Sequence, residues 1–393
     1  MGAILLATIP PFANAQTFLP SSGNWNVGSN WSGGAVPSSS GTTIVDGGDT
    51  VLAPAGVSGT AGALDIGYSG SGTMNISGGS ITDTTGYLGY NAGSNGTATV
   101  SSGTWSDTTS LYIGYTGTGT LNLTSNGVVT INNGAGTLYL GQNAGSSGTL
   151  NLGIGAVAGM LNAAVVTGGA GKGVVNFNET GSYTFAPLLQ GALSVNQIGA
   201  GTTILTGSNN YSGATTLSGG ILNFSNINAM GTGTVTFSAN STLQAGVSAT
   251  LANNIAIAAG VTGTMDTQNF TVSTGTVGSM VKVSGSGALD KVGSGVLILG
   301  TNNTYSGGTM LNGGGLYFQT NNSLGTGTIT IISGTLASYN GGRSLSNSLI
   351  IKGNCYFGGL GHSLTLNGTV DLGGSTEVMG FGNTTTIGGV ISD

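Results

Sequence analysis

Leu111-Tyr112-Ile113-Gly114-Tyr115-Thr116-Gly117-Thr118-Gly119-Thr120-Leu121-Asn122-Leu123 is one statement of a two-part phrase that decides the fold. In its second half Leu121 and Leu123 point to one side of an extended strand and Asn122 to the other, because strand side chains alternate with a period of two. The Gly-Thr-rich stretch between the halves reads as a turn, with positions of positive φ that glycine adopts without strain.

The phrase returns throughout residues 64–152. Leu64-Asp65-Ile66-Gly67-Tyr68 leads to Gly72-Thr73-Met74-Asn75-Ile76, and Tyr87-Leu88-Gly89-Tyr90 leads to Gly96-Thr97-Ala98-Thr99-Val100. Leu138-Tyr139-Leu140-Gly141-Gln142 leads to Gly148-Thr149-Leu150-Asn151-Leu152. The glycines at 67, 89, 114 and 141 are 22, 25 and 27 residues apart. One such unit cannot bury its apolar face, whereas units stacked about 4.8 Å apart bury a continuous core. The pattern predicts an all-β chain, a right-handed parallel β-helix (solenoid). A β-propeller also repeats, but its blades recur at roughly 40–50 residues.

A longer repeat occupies the second half. Gly199-Ala200-Gly201-Thr202-Thr203-Ile204-Leu205 returns as Gly293-Ser294-Gly295-Val296-Leu297-Ile298-Leu299, and Asn210-Tyr211-Ser212-Gly213 as Thr304-Tyr305-Ser306-Gly307. Met230-Gly231-Thr232-Gly233-Thr234 returns as Leu324-Gly325-Thr326-Gly327-Thr328, so the offset is 94 residues throughout, or about four coils at the spacing of the first half. The string G-x-G-x-x-x-L-x-G-x-N-x-Y-S-G-x-T-x-L-x-G-G, running from Gly199 to Gly220 and from Gly293 to Gly314, resembles the autotransporter-associated β-strand repeat of bacterial surface proteins. Gly220-Ile221-Leu222 and Gly314-Gly315-Leu316 depart slightly from that family's usual Gly-Thr-Leu ending. The resemblance implies a β-helical passenger displayed or released outside the cell. Its motif is structural and carries no catalytic residues to transfer.

Composition narrows the function. Glycine makes up 78 of 393 residues and charged residues only 4%, against about 7% and 25% in ordinary soluble domains. With 38% hydrophobic residues in alternating runs and a net charge of −6, the chain is not of the disordered type. Five Lys and Arg in all argue against a nucleic-acid partner, since phosphate neutralisation needs clustered cations. The single cysteine, Cys355, rules out an intramolecular disulfide. No run approaches the roughly 18 apolar residues of a membrane-spanning helix.

Ile4, Leu5, Leu6, Ala7 and Ile9, followed by Ala13-Asn14-Ala15, read as an export signal lacking its basic start, with a mature chain from about Gln16. The expected organisation is a truncated signal over 1–15, a cap and first strands over 16–63 and Gly/Thr-rich coils over 64–198. Repeat copies follow over 199–292 and 293–393, with a C-terminal anchor or barrel expected beyond the last residue.

Chemistry is sparse. His362 is the single histidine, so neither a Ser-His-Asp triad nor, with Cys355, a four-ligand zinc site is available. Asp65, Asp83 and Asp107 fall one per repeat unit. A polysaccharide lyase or hydrolase would need paired carboxylates or Ca²⁺-binding ones. Mutual repulsion argues that Asp83 and Asp107 lie instead on solvated turns that do not align. Asp46-Gly47-Gly48-Asp49 reads as a tight turn rather than a Ca²⁺ loop. No catalytic, cofactor-binding or metal-ligating residues are nominated.

Aromatic residues remain as ligand contacts. Trp25 and Trp31 could stack on sugar rings or close the first coil as a cap, the preferred reading. Tyr68, Tyr90 and Tyr115 each follow a phrase glycine and are expected to form a ladder, either purely structural or doubling as a binding stripe. The expectation is therefore a secreted or cell-surface structural or adhesive stalk, non-catalytic. Its partner would be a host or environmental polysaccharide or a surface protein; a carbohydrate-binding module is the first alternative and a polysaccharide-degrading enzyme the second.

Overall fold

The computed structural model describes residues 15–276, 278–358, 360–373 and 378–393. The apolar segment read as an export signal lies, up to residue 14, outside them. Apart from the 3-10 turns Gly28–Asn30 and Asn132–Gly134, the regular structure of the described residues is strand. The chain divides into two compact units, residues 1–151 with 159–173, and residues 152–158 with 174–393. Each is a parallel β-solenoid.

In the first unit each full coil contributes three strands, one to each of three stacks. The first stack runs from Gln16–Thr17 through Thr42–Val45, Ala63–Ile66, residues 85–88, residues 110–113 and Thr137–Leu140 to residues 165–168. Ser22–Asn24, Asp49–Pro54, Ser71–Ser77, Asn95–Ser101 and Thr118–Thr124 form the second. Ser58–Thr60, residues 80–83, residues 104–107, Val128–Ile131 and Met160–Asn162 form the third. All of these pairings are parallel.

The alternation read from the phrases is what fills the interior. Leu64, Ile66, Met74, Ile76, Leu111, Ile113, Leu121 and Leu123 are wholly buried. Stacked coils leave no room for a side chain at the corners. Gly67, Gly89 and Gly114 sit at φ +70°, +73° and +72°, and a Cβ on Gly89 would overlap the Thr118 carbonyl of the next coil.

The second unit opens with tighter coils, and its later steps lengthen again, to 25 residues from Ser273 to Ile298 and 28 from Ile257 to Gly285. Successive register partners Gln197, Leu217, Phe237 and Ile257 are 20 residues apart, fewer than the 22–27 read from the first half. The first strands of the two 94-residue copies do not share a stack. Residues 195–197 head the stack of Thr215–Leu217, Val235–Phe237, Ile255–Ile257 and Val283–Gly285. Their equivalents 289–291 belong to the neighbouring stack of Thr202–Leu205, Ile221–Phe224, Ser241–Ala245 and Thr262–Asp266. The duplication therefore advances four turns and one further face, and the second copy is turned by one face about the coil axis.

Candidate functional site

Outside the first unit, the register of the first stack aligns Ile44, Asp65, Tyr87, Tyr112, Tyr139 and Thr167 in one outward column. Tyr87 stacks on Tyr112 with ring centroids 5.1 Å apart and 7° between planes, and Tyr112 on Tyr139 at 4.7 Å and 11°. A second row stands beside it. Tyr68 stacks on Tyr90 at 5.3 Å, and Tyr90 meets Tyr115 at 5.3 Å with a 31° tilt. Edge-to-face contacts lock the rows together, Tyr87 against Tyr90 at 5.0 Å and Tyr112 against Tyr115 at 5.4 Å.

The Tyr68, Tyr90 and Tyr115 ladder is thus present, and sequence reasoning missed the Tyr87, Tyr112 and Tyr139 row beside it. The signal was in the same phrase, two residues before the glycine. The six rings are half-buried. The inner rings face their neighbours rather than solvent, so the paving presents edges more than open faces. Burial, and then the neighbouring Tyr112, push the Tyr87 hydroxyl up to about 12. Tyr87 is therefore neutral at physiological pH.

Trp25 and Trp31 are each 1% exposed, so neither ring is open to a sugar. They cross edge-to-face at 5.1 Å, Phe18 meets Trp31 at 5.0 Å, and Trp31 Nε1–H donates to the Trp25 carbonyl at 2.8 Å. The Trp25 indole lies against Gly59, where a Cβ would collide with it. The binding alternative for this pair is corrected: both are packed into the N-terminal coils.

The acids also depart from expectation. Asp83 and Asp107 are direct register partners and both are buried. Trp105 Nε1–H donates to Asp83 Oδ1 at 3.0 Å, while the Gly86 and Thr109 amides donate to Asp107 at 2.7 and 2.9 Å. Gly86 makes room, since a Cβ there would press on Leu111, Trp105 and Asp83. Burial, and then the charge of Asp107, hold the Asp83 carboxyl well above its ordinary range. Burial raises Asp107 to about 6, against three opposing backbone hydrogen bonds, and raises Asp65 to about 7. The repulsion that argued for solvated turns is met instead by burial, which favours the protonated form of Asp83. Enclosed in this way, the pair cannot meet a polymer substrate.

Asp46 closes a turn: its carboxylate accepts from the Ser69 amide and hydroxyl and the Gly70 amide at 3.0, 2.6 and 2.7 Å. Cys355 is buried within Cys355–Gly358. Among the described residues no group of three or more His, Cys, Asp or Glu could hold a metal ion.

The polar residues of the long repeat are likewise directed inward. Asn209 bridges coils, accepting from the Leu189 amide at 2.9 Å and donating to the Ala229 carbonyl at 2.6 Å. Asn303 repeats this with the Val283 amide at 2.7 Å and the Ser323 carbonyl at 2.6 Å. Tyr211 and Tyr305 are fully buried, their hydroxyls 2.6 and 2.7 Å from those of Thr215 and Thr309. In the string N-x-Y-S-G-x-T the asparagine joins one coil to the next, and the tyrosine and threonine pair inside the coil.

The passenger-associated-transport-repeat family model matches residues 195–224 and 289–318, the two segments that carry this string. The chain carries two passenger-associated-transport repeats. It is 47% identical over 57 residues, 14% of its length, to the adhesin BmaC autotransporter of Brucella suis biovar 1 (strain 1330). It is 32% identical over 164 residues, 38% of its length, to the uncharacterized lipoprotein YdeK of Escherichia coli (strain K12). These alignments span 2% and 12% of the respective relatives. No solved structure matches the chain. Among the described residues, no helix is long and apolar enough to cross a membrane.

Proposed function

We propose that this passenger-repeat chain is a segment held at, or released from, the outside of the cell, where its solenoid serves as a stiff stalk and contact surface and catalyses no reaction. The observation that carries the reading is the use of the repeat's motif residues. Asn209 and Asn303 hold coil to coil inside the structure, while Tyr211 with Thr215 and Tyr305 with Thr309 pair within the buried motif. A motif so used maintains a rod; it does not form a reactive cleft. The similarity to an adhesin autotransporter supports contact with a surface, and the double tyrosine row is the face best suited to it. The partner would be a polysaccharide or a protein of a host or environmental surface.

Protease shaving of intact cells expressing the full reading frame tests the location. Release of an epitope placed at Ser40, an exposed loop residue, is the expected result, and an epitope found only after lysis overturns the reading. Retention on immobilised polysaccharides and host-surface proteins, compared between the wild type and Tyr90→Ala, tests the tyrosine face. Turnover of any of those polysaccharides, abolished by substituting an acidic residue, would make the chain an enzyme.

A further inference from the structure

We propose that a groove on the outer surface of the second unit binds an uncharged oligosaccharide. It is distinct in residues from the tyrosine rows, which belong to the first unit, and the inference does not depend on where the chain resides. The register aligns Thr250, Ser273, Ile298, Tyr317 and Ala337 in one outward column. Along Thr250, Ser273 and Ile298 of that column the surface dips into a groove of about 460 Å³. Ser273, Ile298 and Gln319 line its buried side. Tyr339 forms one wall, stacked on Tyr317 with centroids 6.2 Å apart and 15° between planes, and Thr250 and Thr276 lie on the exposed rims.

The lining selects a class of ligand. None of it is ionisable at neutral pH, and apart from Ile298, Ala249 and the Tyr339 ring it consists of hydroxyl and amide side chains. Ser248 Oγ accepts the Thr271 amide at 3.1 Å and so keeps its own proton to donate. Ser273 Oγ donates to the Gly275 carbonyl at 2.7 Å and keeps lone pairs to accept. Donors and acceptors interleaved beside one aromatic ring match a polyol, whose hydroxyls do both and whose C–H face packs on the ring. A peptide adding as a strand needs an open edge, but Thr271–Thr274 is paired on both sides, with Ala249–Leu251 and with Val296–Leu299.

The wall is also held in place. Arg343 Nε–H donates to the Gln319 carbonyl at 2.6 Å, and its NH2 group to the Asn340 carbonyl at 3.2 Å, which ties the guanidinium to the backbone. The lining draws on successive coils from Ser248 to Asn340, four coil steps or roughly 19 Å. That length suits a short oligosaccharide better than a single sugar.

Affinity electrophoresis of the full chain through gels containing dextran, galactomannan, mannan or a soluble β-glucan tests this, with polygalacturonate as the anionic counterpart. At least one neutral polymer should retard the wild type. Tyr339→Ala should weaken that retardation at least tenfold, Tyr339→Phe should preserve it, and Ser40→Ala, on an exposed loop of the first unit, should leave it unchanged. Should Tyr339→Ala lose its fold by circular dichroism, Thr276→Arg on the exposed rim replaces it and should block retention. No retardation by any neutral polymer, retardation by polygalacturonate alone, or loss in Tyr90→Ala with Tyr339→Ala unaffected would each overturn the proposal.

Discussion

Asp83 and Asp107 stand opposite one another on adjacent coils inside the first unit, with Trp105 donating to one and the Gly86 amide to the other. Together with Asp65 they make stability depend on pH in an unusual direction. The folded chain keeps protons that the unfolded chain releases, so their contribution is complete below the ordinary carboxyl value of about 3.8 and declines as pH rises to about 7. Asp83, which burial also holds well above its ordinary value, acts in the same direction. Thermal melts should show the first unit weaker at pH 8 than at pH 5, with Asp65 contributing a few kcal/mol. Asp65→Asn should raise the melting temperature at pH 8 and flatten the profile. Identical profiles for the variant and the wild type would show that Asp65 is ionised in the folded chain.

Gln197 and Lys291 occupy equivalent positions in the two repeat copies and perform one task with different groups. Gln197 Nε2 donates to the Gly199 carbonyl at 3.2 Å, and Lys291 Nζ to those of Val292, Gly293 and Gly313 at 3.0, 2.9 and 3.0 Å. Burial pulls the Lys291 ammonium down to about 8, opposed by the charges of Asp266 and Asp290. Lys291→Met should cost about 3 kcal/mol or more, because buried carbonyls lose their donor. Lys291→Gln should recover much of that. Urea unfolding of the three proteins gives the order, and a Met variant as stable as the wild type would refute the role.

Gly89 has φ +73°, and a Cβ would meet the Thr118 carbonyl. Gly89→Ala should therefore destabilise by about 2 kcal/mol or more. Gly93 also has positive φ, at +82°, but faces open space. Gly93→Ala should cost clearly less, and equal losses in the two melts would mean that dihedral strain alone matters.

Tyr112 touches Tyr87, Tyr115 and Tyr139. With aromatic pairs contributing about 0.5–1.5 kcal/mol each, Tyr112→Ala should lower stability by about 2 kcal/mol, and Tyr112→Phe should change it little. A stable Ala variant that no longer adheres would assign the row to binding rather than to scaffolding.

The strand alternation, corner glycines and duplication were legible because stacked coils demand them of every turn. The burial of Asp83 and Asp107 was not, since a carboxylate was assumed to keep its charge. Trp105 and Gly86 were the available clues: an inward indole N–H needs an acceptor, and a missing side chain leaves room for it. Coil length varies along the second half, so the spacing of the first half describes only part of it. The 20-residue step there is visible only through pairings such as Gln197 with Leu217. The groove beside Tyr339 draws on residues from distant coils, and no local motif announces it.

The one-face turn between the repeat copies has a consequence for anything that recognises the repeat from outside. An antibody or receptor specific for a solvent-facing side chain of the first copy would find its counterpart in the second pointing about a third of a revolution away. A flat partner can engage one copy at a time. Two molecules of such a partner could bind four turns apart and from different sides without competing, so duplication here multiplies the directions of approach instead of lengthening a single epitope.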